Sequence, residues 1–162
     1  MKNPLYIGFA VGLVAVAIVI AGVFYMQRGA HIQVTGQILK VRTAPLDEHS
    51  SAVVVDFRVT NPADYPFQVN DVTVVAEGVP AGAAEGSTVS DTDADRLLAG
   101  VPLLGQRYNP TLMARVRLAP HQTKDFMVAA RFEAPDAELE KRKRLILRIS
   151  EVDGAVSEIS EK

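Results

Sequence analysis

The sequence predicts a mainly β protein in which a single N-terminal transmembrane helix precedes an antiparallel β-sandwich with one or two short helices. Three observations lead to this fold class. Residues 5–26 form an uncharged apolar run, later segments repeat apolar residues at every second position, and turn-forming residues separate those segments. Strands and helices do not alternate, which argues against a parallel doubly wound sheet. We therefore expect an anchor with its flanks in residues 1–30 and the β domain in residues 31–162.

The apolar run from Leu5 to Met26 contains 22 residues, none of them charged. As an α-helix it would be roughly 33 Å long, which matches a bilayer hydrocarbon core of ~30 Å. The alternative is a cleaved secretory signal, whose apolar region has only about 7 to 15 residues. Arg28 also stands where such a signal prefers a small residue. We expect a retained signal anchor in a single-pass protein of the cell membrane.

Membrane orientation depends on few charges. Lys2 precedes the apolar run and Arg28 follows it, so the positive-inside bias is slight. Because only four residues precede the helix, we expect the N-terminus to be cytoplasmic and the β domain to be extracytoplasmic.

Gly8 and Gly12 form a GxxxG pair within the apolar run. Small residues at this spacing let two helix backbones approach closely, so the pair predicts a helix-mediated homodimer. The alternative is that glycine is simply common in membrane helices.

Composition excludes several classes of function. The chain has no cysteine, so disulfides, thiolate metal sites and cysteine nucleophiles are excluded. Outside the anchor segment, 15 basic residues (17 less Lys2 and Arg28) and 19 acidic residues give a net charge of −4. A nucleic-acid-binding domain is typically basic, so we expect no nucleic-acid partner.

Alternating apolar residues predict the strands. In Val53–Thr60 the odd-numbered residues are apolar and are expected to face the core, whereas Asp56 and Arg58 are expected at the surface. A tight turn is expected at Asp153-Gly154, because glycine accepts a positive φ. The other expected strands are Val69–Ala76, Leu112–Leu118 with its even-numbered residues inward, Phe126–Phe132, residues 145–149 and Ala155–Ile159.

The first strand changes parity along its length. Ile32 and Val34 fall on one face, whereas Leu39 and Val41 fall on the other. A change of parity requires an extra residue, and Gly36 lies between the two sets. We therefore expect at Gly36 a β-bulge, or a bend that carries the strand between two sheets.

Two short helices and one loop are expected between strands. Ser90, Asp91 and Asp93 are good N-terminal caps for a helix running roughly through Asp95–Ala99, with Gly100 and Pro102 ending it. A second short helix is expected at Asp136–Lys141, where acidic residues lead and basic residues trail. Small residues and proline dominate Gly78–Thr88, so we expect a flexible loop there.

The segment Asp91–Asp95 places three carboxylates at alternate positions, as at the start of a calcium loop. That loop also requires Gly at its sixth position and Glu at its twelfth, where this chain has Arg96 and Pro102. Acidic residues at a helix N-terminus explain the same spacing and are favoured.

The other residue types that occur in catalytic or binding sites lack the spacing that such sites require. No serine lies in a nucleophile elbow and no glycine-rich loop has the lysine that binds phosphate. Nothing in the spacing singles out the remaining groups, which are the histidines His31, His49 and His121 and the carboxylate pairs Asp71 with Glu77 and Glu138 with Glu140. We expect no catalytic, cofactor-binding or metal-binding residues, and no cofactor.

One basic run is present, Lys141–Arg144. It predicts a solvated turn, with a lipid-headgroup contact as the alternative. A nucleic-acid role would require interleaved aromatic residues, which the run lacks.

The segment Val53–Gly78 reads VVVDFRVTNPADYPFQVNDVTVVAEG. It resembles the immunoglobulin-like domain of the group-two late embryogenesis abundant, or water-stress and hypersensitive-response, family, in which a strand ends in an Asn-Pro-Asn turn. Asn61-Pro62 matches that turn, whereas Ala63 departs from its third position, and residues 78–110 look like an addition to the family pattern. The resemblance implies a non-enzymatic immunoglobulin-like sandwich, often membrane-tethered, with stress-related or binding roles.

Three functions are consistent with the sequence. We expect a membrane-anchored binding or structural module of the cell envelope, with an envelope protein or a surface polymer as the partner, because an anchor is present and a catalytic constellation is missing. The alternative that the resemblance implies is a stress-protective or chaperone-like domain. A hydrolase with a site assembled from scattered residues is the least favoured, since a fold alone does not exclude an activity.

Overall fold

The structure, a computed structural model, describes residues 4–27, 33–80 and 82–161. The chain divides into two compact units, Met1–His31 and Ile32–Lys162. In the first unit a single helix, α1, spans Pro4–Gln27. Within α1, only the side chains of Phe9 and of residues 12–23 are described. Lys2 and Arg28, the charges on which the expected orientation depends, lie outside the described residues.

The apolar side chains described in α1 are exposed. Phe9, Ile18 and Val19 are 71%, 66% and 65% exposed, and the other large ones lie between 50% and 59%. In the described part of the chain, no helix is found whose length and apolar character suffice for a membrane span.

The second unit consists mainly of strands. In chain order its elements are β1 (Thr35–Pro45), β2 (Ser51–Thr60), β3 (Phe67–Val79), β4 (Gly82–Thr88), α2 (Asp91–Gly100), a 3-10 turn (Pro102–Leu104), β5 (Arg117–Leu118), β6 (Thr123–Phe132), α3 (Asp136–Leu139), β7 (Arg144–Glu151) and β8 (Val156–Ser160).

Eight strands of the described residues form one curled antiparallel sheet. Their order is β1-β2-β6-β4-β3-β7-β8, and β5 pairs with the start of β3. β4 joins the two halves of the sheet, because its first residues pair with β3 and its last two with β6. The curl brings β1 towards β8, where the Val34 amide donates a 2.9 Å hydrogen bond to Ser157 Oγ. The domain is therefore mainly β, with the arrangement of a β-sandwich.

The main core lies on the inner face of the curled sheet. Phe57, Phe67 and Phe132 are among its fully buried side chains. The residues expected to face inward from the strands at 53–60, 69–76, 126–132 and 145–149 all belong to this core, so their facing is confirmed. The expected turn at Asp153-Gly154 is also confirmed, since Gly154 has φ +89° between β7 and β8.

A second, smaller core covers part of the outer face of β1, β2 and β6. Here α2 and the 3-10 turn pack against the sheet, and the buried residues are Ala44, Ala52, Val54, Ala94, Leu98, Leu104, Met127 and Ala129. The expectation that Asp56 lies at the surface is wrong, because residues between α2 and β5 cover it and leave it only 3% exposed. The expectation for Arg58 is confirmed.

The parity change in β1 is confirmed, but its position is Leu39 and not Gly36. The β1–β2 register shifts between Ile38 and Lys40, so Leu39 is the extra residue of the bulge. Gly36 has a different role, because a Cβ atom there would lie 2.2 Å from the Arg58 carbonyl oxygen and 2.7 Å from Ile159 Cδ1. Glycine thus permits the close approach of β1 to β2 and β8.

The expected flexible loop at Gly78–Thr88 is wrong, because Gly82–Thr88 forms β4. Strand pairing here uses backbone groups, which small residues supply as well as large ones. A Cβ atom on Gly86 would lie 2.5 Å from the Phe132 ring, so glycine makes room for a core aromatic. Composition alone therefore misidentified a central strand as a loop.

The expected strand at Leu112–Leu118 is also wrong, since only Arg117–Leu118 forms a strand. Arg115 has φ +69°, which breaks the extended conformation, and its amide donates to the Val69 carbonyl at 2.8 Å. Leu112 and Leu118 are buried as expected, whereas Ala114 is exposed.

The two expected helices are present with different bounds. α2 begins at Asp91, four residues before the expected Asp95, and ends at Gly100. Its N-terminal cap is Ser90, whose Oγ accepts a 3.2 Å hydrogen bond from the Asp93 amide. α3 ends at Leu139, two residues before the expected end.

Candidate functional site

The histidines are not brought together as a site. His49 lies in the β1–β2 turn, whereas His121 Nε2 lies 2.8 Å from Asp64 Oδ1 in a different loop; His31 falls outside the described residues. In the described ranges, no group of three or more histidine and acidic side chains is placed to hold a metal ion.

The acidic residues that the sequence offers as carboxylate pairs form no catalytic pair among the described contacts. Asp71 and Glu77 lie near the two ends of the β3–β7 pairing, opposite Ser150 and Arg144. Glu77 Oε2 accepts a 2.7 Å ion-paired hydrogen bond from Arg144. The second pair, Glu138 and Glu140, lies in and just after α3.

The carboxylates of Asp91 and Asp95 are bound by one arginine, Arg107, which follows α2 in the chain. Its guanidinium donates to Asp91 Oδ1, and to Asp95 Oδ1 at 2.6 Å. The same group donates to Thr111 Oγ1 at 3.0 Å. Hydrogen bonds from Thr111 and Arg107 lower the pKa of Asp91. These acids therefore clamp the segment after α2 onto the helix.

A second arginine, Arg42 of β1, clamps the same segment onto the sheet. Its Nη2 donates to Asp56 Oδ2 at 2.7 Å, and the two side chains are only 7% and 4% exposed. Its Nη1 donates to the carbonyl oxygens of Leu104 and Gln106, the latter at 2.9 Å. Asn109 Nδ2 donates to the other oxygen of Asp56 at 3.0 Å. The Arg42–Asp56 pair thus fixes residues 104–109 over the outer face of β1 and β2.

Tyr108 lies on this clamped segment and is 56% exposed. The guanidinium carbon of Arg42 is 5.1 Å from the centre of its ring, and Lys40 Nζ is 5.6 Å from it. Both distances fall within the range of cation–π attraction. One buried cation and one exposed cation therefore lie over the ring and attract it.

A groove of about 360 Å³ lies beside this ring. We call it the Tyr108 groove, and its lining residues are Leu39, Lys40, Asp56, Tyr108 and Asn109. Leu39, the bulge residue of β1, is 43% exposed at its edge. The groove combines an ammonium group, an exposed aromatic ring, an exposed aliphatic side chain and a neutralised carboxylate. It is the candidate binding site of the domain.

Two other cavities lie on the outer face. One of about 740 Å³ surrounds the β1–β2 turn, where Asp47 accepts hydrogen bonds from the Ser50 hydroxyl at 2.6 Å and the His49 amide at 2.8 Å. These bonds lower the pKa of Asp47, so the carboxylate is already used within its own turn. The other, of about 370 Å³, runs beside α2 and is mainly apolar, with Leu97 and Val101 among its lining residues.

The basic run Lys141–Arg144 is largely engaged within the domain. Arg142 donates to the Glu161 carboxylate at 3.2 Å and to the Leu139 carbonyl at 3.1 Å. The alkyl chain of Lys143 packs over Gly78, and Arg144 pairs with Glu77. These contacts favour the solvated turn over a lipid-headgroup site.

Sequence reasoning missed Arg42, Arg107 and Tyr108 as members of a site. The sequence of β2 contained one signal of a covered outer face. Ala52 and Val54 are apolar although they lie on the face opposite Val53 and Val55, so both faces are apolar in the first half of the strand. A strand apolar on both faces is covered on both sides. A carboxylate two residues further on, at Asp56, then requires a cationic partner, but periodicity alone does not identify Arg42 as that partner.

No protein-family model matches this chain, and no curated protein sequence does. Two solved structures are similar to it. One is an uncharacterized β-sandwich protein from Clostridium difficile 630, with 15% identity, 82% of this chain and 86% of that chain covered, and a TM-score of 0.39. The other is the Iho670 flagellar-like filament, with 10% identity, 98% and 97% coverage, and a TM-score of 0.34.

Proposed function

We propose that this chain is a membrane-tethered, non-enzymatic module of the cell envelope, and that its β domain binds another envelope protein. The observation that carries the proposal is α1, a helix of 24 residues whose sequence has no charge from Leu5 to Met26. The described residues of α1 alone do not suffice for a membrane span. The apolar run of the sequence extends beyond the side chains that are described, and as a helix its 22 residues would be roughly 33 Å long, against a hydrocarbon core of ~30 Å.

The exposed apolar side chains of α1 also support a tether. Phe9, Ile18 and Val19 lie on different sides of the helix, and each is at least 65% exposed. A helix that is apolar all round is stable where lipid or protein covers it. We assign a lipid bilayer as the cover, because the apolar run Leu5–Met26 takes up all of α1 except its first and last residues.

The orientation follows as part of the proposal. Lys2 stays in the cytoplasm and the β domain lies outside it, in the cell envelope. A domain without cysteine in that compartment depends on its packing alone. Two buried cores, one on each face of β2, are consistent with such a domain.

A binding role is favoured over catalysis by what the arginine side chains of the two clamps contact. Arg42 and Asp56 bind each other and the backbone of the clamped segment, and Arg107 binds the acids of α2. These groups fix a surface in place, as preorganised binding surfaces require.

Membrane attachment can be tested with paired substitutions in α1. In the Val14→Lys/Ile18→Lys variant each lysine should cost about 2.5–3.5 kcal/mol at the helix centre. We expect wild type to remain in the membrane pellet after carbonate extraction and the variant to be released. The matched variant Val14→Ala/Ile18→Ala introduces no charge and should stay in the pellet. Release of wild type by carbonate would contradict the tether.

Orientation can be tested on intact spheroplasts with added protease. We expect the β domain to be digested without lysis. Digestion that requires lysis would place the domain in the cytoplasm and overturn this part of the proposal.

A further inference from the structure

We propose that the Tyr108 groove binds a segment of a partner protein in which a carboxylate side chain lies beside an apolar one. This inference rests on the proposed binding function and identifies its site and the chemistry of its partner.

The apolar part of the groove is produced by the β-bulge in β1. Leu39 is the extra residue in the β1–β2 register, and its side chain is 43% exposed beside the 56% exposed ring of Tyr108. Bulges commonly redirect a side chain next to a functional site. An aromatic ring with an aliphatic neighbour is a typical anchor point for an apolar side chain of a partner.

The charged part of the groove has one uncompensated positive charge. Asp56 is neutralised by Arg42 and also accepts a hydrogen bond from Asn109. Lys40 forms no ion pair within the described residues, and its Nζ lies over the Tyr108 ring. A carboxylate is the group that complements an exposed ammonium next to a neutralised pair.

The groove is also held rigid before any partner binds. Arg42 donates to the carbonyl oxygens of Leu104 and Gln106, and Arg107 ties the same segment to α2. Binding is weakened by the conformational entropy that side chains and loops lose when they become ordered. A groove that is already fixed loses less of this entropy on binding.

The bulge argues for recognition through side chains and not through strand addition. A partner strand on the free edge of β1 would need a regular run of backbone groups, which the extra residue Leu39 interrupts. A single ammonium in a domain of net charge −4 also lacks the broad positive field that a nucleic acid or an anionic bilayer requires.

The test uses the full chain in its native membranes. Leu39 is replaced by the photo-crosslinker p-benzoylphenylalanine, and the cross-linked segment of the partner is sequenced by mass spectrometry. Val152, which is 56% exposed and follows β7, receives the same crosslinker as a control position. We expect adducts from position 39 to map to a segment in which Asp or Glu lies next to an apolar residue.

Charge reversal then tests the role of Lys40. In the Lys40→Glu variant we expect the yield of the position-39 adduct to fall about tenfold, and in Lys40→Met to fall less. A Lys replacing the mapped acidic residue should restore the yield to Lys40→Glu. Because Lys40 is exposed, both variants should melt at the wild-type temperature. If Lys40→Glu does not fold, Lys40→Gln removes the charge without reversing it, and the yield should fall as in Lys40→Met.

Each other outcome overturns the inference. A mapped segment without an acidic residue, a lipid adduct, or a yield that does not change in Lys40→Glu would each contradict it. Protein adducts from position 152 but not from position 39 would leave the proposed binding function intact and place its site elsewhere. No protein adduct from either position would count against both.

Discussion

Arg42 and Asp56 form a buried ion pair on the outer face of a sheet whose other face forms the main core. Their atoms Nη2 and Oδ2 are 2.7 Å apart, and the side chains are 7% and 4% exposed. Arg58 of β2 and Asp125 of β6 form a second pair at the same distance, but their side chains are 47% and 34% exposed. Both pairs join an arginine to an aspartate at the same distance and differ in burial. Comparing them therefore isolates the effect of burial on the stability that an ion pair contributes.

Asp56→Ala should destabilise the domain by about 3–5 kcal/mol, because it leaves the buried Arg42 guanidinium without its counter-charge. Asp125→Ala should have a much smaller effect, because water solvates Arg58 once its partner is lost. Denaturant unfolding of the full chain in detergent measures both. The double variant Arg42→Met/Asp56→Leu should lose less free energy of unfolding than Asp56→Ala, since neither charge remains buried in it. Equal losses in Asp56→Ala and Asp125→Ala would contradict the assigned burial.

Asn61→Ala should destabilise the domain by about 2–4 kcal/mol. Asn61 is fully buried, and its Nδ2 donates to the carbonyl oxygens of Tyr65 at 2.8 Å and of Leu118 and Ala119 at 3.2 Å. Its Oδ1 accepts from the Ala63 amide at 3.1 Å. Removal of the amide leaves the buried Leu118 carbonyl and the partly buried groups of the turn without this partner.

The comparison with Asn61→Asp makes the Asn61 test specific. A carboxylate keeps the acceptor for Ala63 but directs an oxygen at three carbonyl oxygens, so Asn61→Asp should be at least as destabilising as Asn61→Ala at pH 7. Protonation restores a donor, and the deficit should shrink in acid. Asn70→Ala, at an exposed asparagine, should be neutral. A neutral Asn61→Ala would show that the turn does not depend on this side chain.

The predictions that succeeded and those that failed have different physical origins. Alternation in β2, β6 and β7 identified the inward residues because burial acts on side chains, which the sequence displays directly. The sequence did not predict β4, because backbone pairing with β3 and β6 holds Gly82–Thr88 in place and such pairing leaves no side-chain pattern. The prediction of a strand at 112–118 was wrong, because a hydrogen bond from the Arg115 amide to the Val69 carbonyl stabilises a positive φ at Arg115.

The candidate site was less predictable than the fold. Asn61-Pro62 was identified because a turn is local, and Asn61 Oδ1 indeed accepts from the backbone two residues on. Arg42 and Asp56 are 14 residues apart and lie on different strands, so their pairing depends on register. The bulge at Leu39 shifts that register by one residue, which the sequence signalled only as a parity change near Gly36.

Gly36→Ala should destabilise the domain by about 1–3 kcal/mol, as overpacking typically does. The added Cβ would lie 2.2 Å from the Arg58 carbonyl oxygen, so β1 must move away from β2. Shortening Ile159 to Val should not rescue the variant, because the shorter contact is with backbone. Gly100→Ala is the control, since its Cβ would meet nothing within 4 Å. Thermal melting compares the three variants, and rescue by Ile159→Val would place the clash at β8 instead.

The clamp between Arg107 and α2 should loosen in acid. Hydrogen bonds from Thr111 and Arg107 lower the pKa of Asp91 from its ordinary value of 3.8, so the folded state binds the proton less tightly than the unfolded state. The stabilisation is therefore present above about pH 4 and is lost as the pH falls through the lower folded-state pKa. Amide hydrogen exchange across residues 91–107, corrected for the intrinsic effect of pH, should quicken over that range.

Asp91→Asn removes the titrating group of this clamp. The variant should show faster exchange across α2 at pH 6 and a weaker dependence on pH below 4 than the wild type. Asp153→Asn, an exposed acid in the β7–β8 turn, changes the net charge equally and should preserve the wild-type profile. If Asp91→Asn and Asp153→Asn have the same profile, overall charge and not the Arg107 clamp governs the response of α2 to acid.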